Sequence, residues 1–111
     1  MTLHPAILAS FLLVQAPMLT KAESLAELYG RTLGAAAECK SIAHPRIDAT
    51  AAAAAAHVKA LAKDDAERTA AGRILAANVD RGGRDVQNGL VTCTQAESEL
   101  SNLEHELAGS R

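Results

Sequence analysis

The chain has 111 residues, enough for one domain, and a formal charge of -2. No basic patch or long charge run is present, which argues against nucleic acid as a partner. There is no Trp, one Tyr and one Phe, so a core must come from Leu, Ile, Val and Ala. Clusters that favour strands are missing while helix formers dominate, and the composition reads as all-α.

The run Ala6-Ile7-Leu8-Ala9-Ser10-Phe11-Leu12-Leu13-Val14 is apolar, and Gln15, Pro17, Thr20 and Lys21 follow it. Thr20-Lys21-Ala22 then places small side chains at the two positions a signal peptidase reads. Residues 1–22 are expected to be a signal peptide, cleaved before Glu23, although no Lys or Arg stands ahead of the apolar run. A retained core helix and a membrane anchor are the rivals. The run is shorter than the roughly 20 residues a span needs, so no stable membrane insertion is expected after cleavage. Removing 22 of 111 residues leaves 89, one domain over 23–111, and losing Lys21 takes the charge from -2 to -3. Periplasmic or secreted localisation follows. Two cysteines in an exported chain, Cys39 and Cys93, suggest a disulfide. The bond would span 54 positions, worth roughly 4 kcal/mol in the chain-entropy view.

Four helices are expected. The first covers 24–43, with Leu25, Leu28, Thr32, Ala35, Cys39 and Ile42 on one apolar stripe. Gly30 and Gly34 make sense there if another backbone approaches closely, and His44-Pro45 is read as the stop. The second covers 48–63 from an Asp48 cap, with Ile47, Ala54, Val58 and Leu61 inward; Ala51–Ala56 would form a thin wall. The stripe breaks near Lys63, and Asp64 and Asp65 suit a new start. The third covers 65–87, with Ala71, Leu75, Val79, Gly82 and Val86 on one face, carried through Arg81-Gly82-Gly83-Arg84. The fourth covers 93–108 behind a Thr92…Gln95 capping box, with Cys93, Ala96, Leu100, Leu103 and Leu107 inward. In an up-down-up-down bundle, the end of the first helix lies beside the start of the fourth, where a Cys39–Cys93 bond closes. Fusing the second and third helices would put that partner at the wrong pole.

Signals for chemistry are few. Cys-x-x-Cys-His is absent, and no Met is left after cleavage to ligate haem. His44, His57 and His105 lie apart; His57 shares a side with Thr50, and His105 with Glu97 and Ser101, and both sides read as solvated. No zinc or di-iron spacing occurs, so no metal or cofactor is expected. No serine has a nucleophile-elbow setting. Asp64, Asp65 and Glu67 read as a helix start rather than an acid–base pair. No catalytic residue is assigned and no enzyme is expected. Tyr29 reads as core or rim.

Size, expected export, helical content and one long-range disulfide, with Cys93-Thr94-Gln95, resemble the small periplasmic acid-stress chaperones. Cys39 stands in Ala-Glu-Cys-Lys, unlike the Trp-Thr-Cys context of that family. The general pattern is also similar to small periplasmic immunity proteins that neutralise toxins, though those carry more cysteines. The resemblance implies a helical protein acting by binding other proteins.

The reading that assumes least is a non-enzymatic module that binds another protein. The acidic outer side of the fourth helix, with Glu97, Glu99, Glu104 and Glu106, and the Ala51–Ala56 wall are the expected contact surfaces. An acid-stress chaperone and an immunity protein are the alternatives. A small-ligand carrier or enzyme would need a concave pocket with convergent polar groups.

Overall fold

The computed structural model describes residues 18–109. They form α1 (Lys21–Ala37), α2 (His44–Leu61), α3 (Asp65–Gln87) and α4 (Cys93–Gly109), with no strand among them. The apolar run 6–14 of the expected signal peptide lies outside the described residues.

Local signals set each boundary. The Thr20 hydroxyl accepts from the Glu23 N–H at 3.2 Å, and the Glu23 carboxylate accepts from the Thr20 N–H at 2.9 Å. This capping box starts α1 at Lys21, ahead of the expected Ser24. The anticipated cleavage point after Ala22 lies between the two halves of that box. At its other end α1 stops at Ala37 rather than near Ala43. Cys39 and Ile42 keep the apolar rhythm but belong to the linking turn, where both are buried. The rhythm reported burial, and burial does not require a helix.

Pro45 does not close α1; it sits in the first turn of α2. A missing N–H costs nothing there, because the first turn has no acceptor for it. Hence α2 opens at His44, not Asp48, and ends at Leu61, not Lys63. Asp64 caps α3 by accepting from the Glu67 N–H at 2.8 Å. Helix α3 covers Asp65–Gln87 as expected, unbroken through Gly82 and Gly83. It ends in a Schellman turn: the Leu90 N–H donates to the Asp85 carbonyl at 2.8 Å and the Gly89 N–H to Val86 at 3.1 Å. Gly89 has φ 76°, the left-handed region that glycine enters freely. The expected Thr92–Gln95 box opens α4, with bonds of 3.1 and 2.8 Å.

The helices form an up-down-up-down bundle, and the Cys39–Cys93 disulfide joins the turn after α1 to the first residue of α4 with Cα atoms 5.7 Å apart. The bundle is not square. Helices α1 and α2 share the middle, α3 flanks them on one side and α4 on the other. Although consecutive, α3 and α4 scarcely touch.

The tightest seam joins α1 to α3, which run parallel. A Cβ on Gly30 would meet the Leu75 carbonyl oxygen at 2.6 Å. One on Gly34 would land in the Val79 carbonyl, and one on Gly82 in the Arg31 carbonyl. The close backbone approach anticipated at Gly30 and Gly34 is therefore real, and α3 is what approaches. Further along the seam, Gln87 donates to the Glu38 carboxylate at 2.9 Å.

Three expected core positions face out. Cys93, expected inward on the fourth helix, is exposed at the start of α4, where the disulfide reaches out to it from the buried Cys39. Leu28 is 56% exposed and Val79 37% exposed, while Asn78, next to Val79, is buried. The seam turns α3 by about one residue from the expected stripe, because contact through glycine selects the small face rather than the most apolar one. Asn78 donates from Nδ2 to the Ile74 carbonyl at 2.8 Å, while its buried Oδ1 has no hydrogen-bond partner among the described residues.

Candidate functional site

The gap between α3 and α4 leaves one face of α1 uncovered. Leu28, Thr32 and Ala35 of α1, Val91 of the last link and Leu103 of α4 form the apolar floor of a cleft of about 410 Å³. Arg31, Asp85, Glu99 and Glu106 stand among its polar lining. Three helices position these groups, and the Schellman turn brings Val91 round to the end of the floor.

Tyr29 closes the inner side. It is 1% exposed, with its ring centroid 6.2 Å from that of His57 in α2. Burial, then the charge and hydrogen bond of Glu106, push its phenol up to about 12. Such a phenol holds its proton at neutral pH and serves as neither nucleophile nor base there. The His57 side of α2, expected to be solvated, is half-buried, and Thr50 on it is buried, donating to the Arg46 carbonyl at 2.8 Å.

The four glutamates singled out from the sequence are divided by the fold. Glu97 and Glu104 turn toward α2, where Arg46 holds both. Its Nη1 donates to Glu97 at 2.7 and 2.8 Å, its Nη2 to Glu104 at 2.7 Å and to the Ser101 hydroxyl at 3.0 Å, and its Nε to Glu104 at 2.9 Å. These bonds, strongest from Arg46 to Glu104, hold the Glu104 carboxyl below the usual carboxylate range and raise the guanidinium further above its own. Glu99 and Glu106 turn the other way and line the cleft. The sequence reading missed Arg46. Glu97, Ser101 and Glu104 recur at helical spacing on one side of α4, a sign of a shared cationic partner.

Ala54 of the alanine wall is fully buried, and Ala51, Ala53 and Ala55 are half-buried. The wall lets α2 sit close to its neighbours, leaving Ala52 and Ala56 exposed. Cys39 and Cys93 are consumed in the crosslink and offer no thiol. Among the described residues no group of three or more His, Cys, Asp or Glu could hold a metal ion, and no helix is long and apolar enough to cross a membrane. What the cleft offers chemically is an apolar floor with carboxylates at its edge, suited to non-covalent recognition. No protein-family model, curated protein or solved structure matches the chain.

Proposed function

We propose that this chain is a non-enzymatic, exported module that binds another protein through the cleft between α3 and α4. The supporting observation is Leu28, a large apolar side chain 56% exposed on the floor of a concave site, where a packed bundle would bury it. The cleft volume also falls within the span of small-ligand pockets, about 300–1,000 Å³. Leu90, next in the chain to Val91 of the floor, is a further large apolar side chain left 73% exposed. Exposed apolar side chains of this size suit a macromolecule better than a small ligand. Export is supported by the apolar run 6–14 and by the disulfide, which persists in oxidising compartments.

The test places a photo-crosslinker at Asn102, on the cleft, and at Asp48, on the exposed side of α2. Crosslinked partners are compared between wild type and Leu28→Asp. Partners captured only from position 102, and lost in Leu28→Asp with the helical spectrum intact, support the reading. Equal capture from both positions, or capture indifferent to Leu28→Asp, rejects it.

A second reading, an acid-stress chaperone, draws support from the Arg46 clamp. Protonation of Glu97 and Glu104 removes the polar tie between α2 and α4 and would loosen the helix that buries Leu100, Leu103 and Leu107. Light scattering of a client protein at strongly acidic pH decides it. Unchanged aggregation eliminates this role.

A further inference from the structure

We propose that the partner presents a basic amphipathic α-helix, which lies along α1 in the space between α3 and α4. This rests on the cleft being a protein-binding site and adds what the partner must look like.

Shape is the first ground. The floor follows α1 from Leu28 to Ala35, about 10 Å at 1.5 Å per residue. Its walls are helices that scarcely touch each other. A helix laid in this trough would pack on three neighbours by the ordinary helix-in-groove mode.

Charge is the second ground. The lining carries Asp85, Glu99 and Glu106 against one base, Arg31. Asp85 and Glu99 have no ion-pair partner among the described residues. Arg46 holds Glu97 and Glu104 on the far side of α4 and offsets one of their two charges, whereas Glu99 and Glu106 face the cleft without such a clamp. Glu99 and Glu106 stand two turns apart, about 10 Å along the axis. A ligand helix repeats that interval between positions i and i+7. Lys or Arg at those two positions would meet the α4 wall, and a basic residue on its opposite flank would meet Asp85. Apolar residues at i+3 and i+4 would then descend on Leu28, Val91 and Leu103.

Other occupants fit less well. The chain's own apolar run 6–14 contains no Lys or Arg, so it can cover the floor but cannot answer the acids. A second copy joined through the same face would bring two linings of the same net negative charge together, since a two-fold interface repeats one patch.

The experiment uses the full chain and labelled peptides about five turns long, read by fluorescence anisotropy at low and high salt. One is a Leu/Lys amphipathic helix with Lys at i and i+7. The second carries Glu in place of Lys, the third is the Leu/Lys composition scrambled, and the fourth copies residues 5–17. The Leu/Lys helix is expected to bind best, and more weakly as salt rises. Leu28→Asp and Glu99→Lys should each weaken it about tenfold, as loss of an interface anchor does. Asp48→Lys, on the exposed side of α2, should leave it unchanged. If Asp48→Lys weakens binding as much as Glu99→Lys, the attraction is non-specific and the proposal falls. If the Glu helix or the 5–17 peptide binds better, and needs Leu28, the basic partner is wrong while the binding site stands. If sedimentation shows a dimer that Leu28→Asp dissociates, a second copy owns the cleft and the proposal falls. If no peptide responds to Leu28→Asp, the cleft itself fails as a protein-binding site.

Discussion

Gly34 of α1 and Gly82 of α3 put two parallel backbones in direct contact, with no room for a methyl group at either position. Helix propensity alone says that alanine would improve both sites. Packing reverses the sign. Gly34→Ala and Gly82→Ala are each expected to cost about 2–3 kcal/mol, as overpacking does. Gly72, in the same helix as Gly82, faces open space. Gly72→Ala should therefore stabilise, by about 0.5–1 kcal/mol. Urea denaturation followed by circular dichroism measures all three. Stabilisation at Gly34 or Gly82 would show that the seam is looser than described.

The disulfide links positions 54 apart, so Cys39→Ser with Cys93→Ser should remove roughly 4 kcal/mol in the chain-entropy view. For an Ala-rich domain that is a large share of the usual margin. The double variant is expected to melt much lower than the oxidised protein and close to the reduced one. Intact mass with and without reductant reports the crosslink directly.

The Arg46 clamp makes stability depend on acid. The Glu104 carboxyl titrates below its ordinary value of 4.5, chiefly through hydrogen bonds from Arg46. A depressed carboxylate stabilises the fold above its unfolded pKa, and that stabilisation is lost as pH falls through the folded one. The difference in melting temperature between wild type and Arg46→Gln should thus be full at neutral pH and shrink on going below about 4.5. Asp65 and Glu67 are also lowered, by Arg68 and by Thr20 first respectively. Their share of the acid dependence should survive in Arg46→Gln. A gap in melting temperature that stays constant with pH would refute the clamp.

Tyr29 is the only tyrosine, so ultraviolet titration reads it alone. Its phenol should ionise near 12 rather than 10.0. A raised pKa contributes stability that is complete below the unfolded value and lost as pH rises through the folded one. Stability should accordingly decline from about pH 10 toward 12, the window between those values. Glu106→Gln removes the charge and should lower the midpoint without restoring 10.0, since burial is the larger cause. A wild-type midpoint near 10.0 with the helical spectrum intact would place the ring at the surface.

Thr20 and Glu23 cap α1 across the anticipated cleavage point. A chain beginning at Glu23 lacks that cap and the buried Ala22. It should be less stable than one beginning at Met18, by about 1 kcal/mol for the cap alone. Thermal melts of the two chains measure this. Equal melts would mean that the box contributes nothing.

Much of the fold was legible because local chemistry was explicit. Asp64, the Asn88-Gly89 pair and the Thr92–Gln95 box marked ends that the structure keeps. The phase break near Lys63 correctly separated α2 from α3. Misreadings arose where one pattern has two causes. Cys39 and Ile42 are buried by a turn rather than a helix, and Pro45 opens α2 rather than closing α1. Thr20 lies ahead of the anticipated cleavage point, so its pairing with Glu23 crosses the boundary that the sequence suggests. The cleft was not legible, because it depends on α3 and α4 standing apart. Leu28 satisfied the apolar stripe of α1 as well as any core residue. Only the choice of Gly82 as the contact, itself a three-dimensional event, leaves Leu28 outside.

The parallel seam has a consequence for how the chain is made. As residues emerge in order, α1 gains its most extensive partner only after α2 has been passed and Gly82 has appeared. A nascent chain halted before that glycine holds α1, α2 and an α3 cut short of its close contact with Arg31. Such late, distant pairing delays compaction.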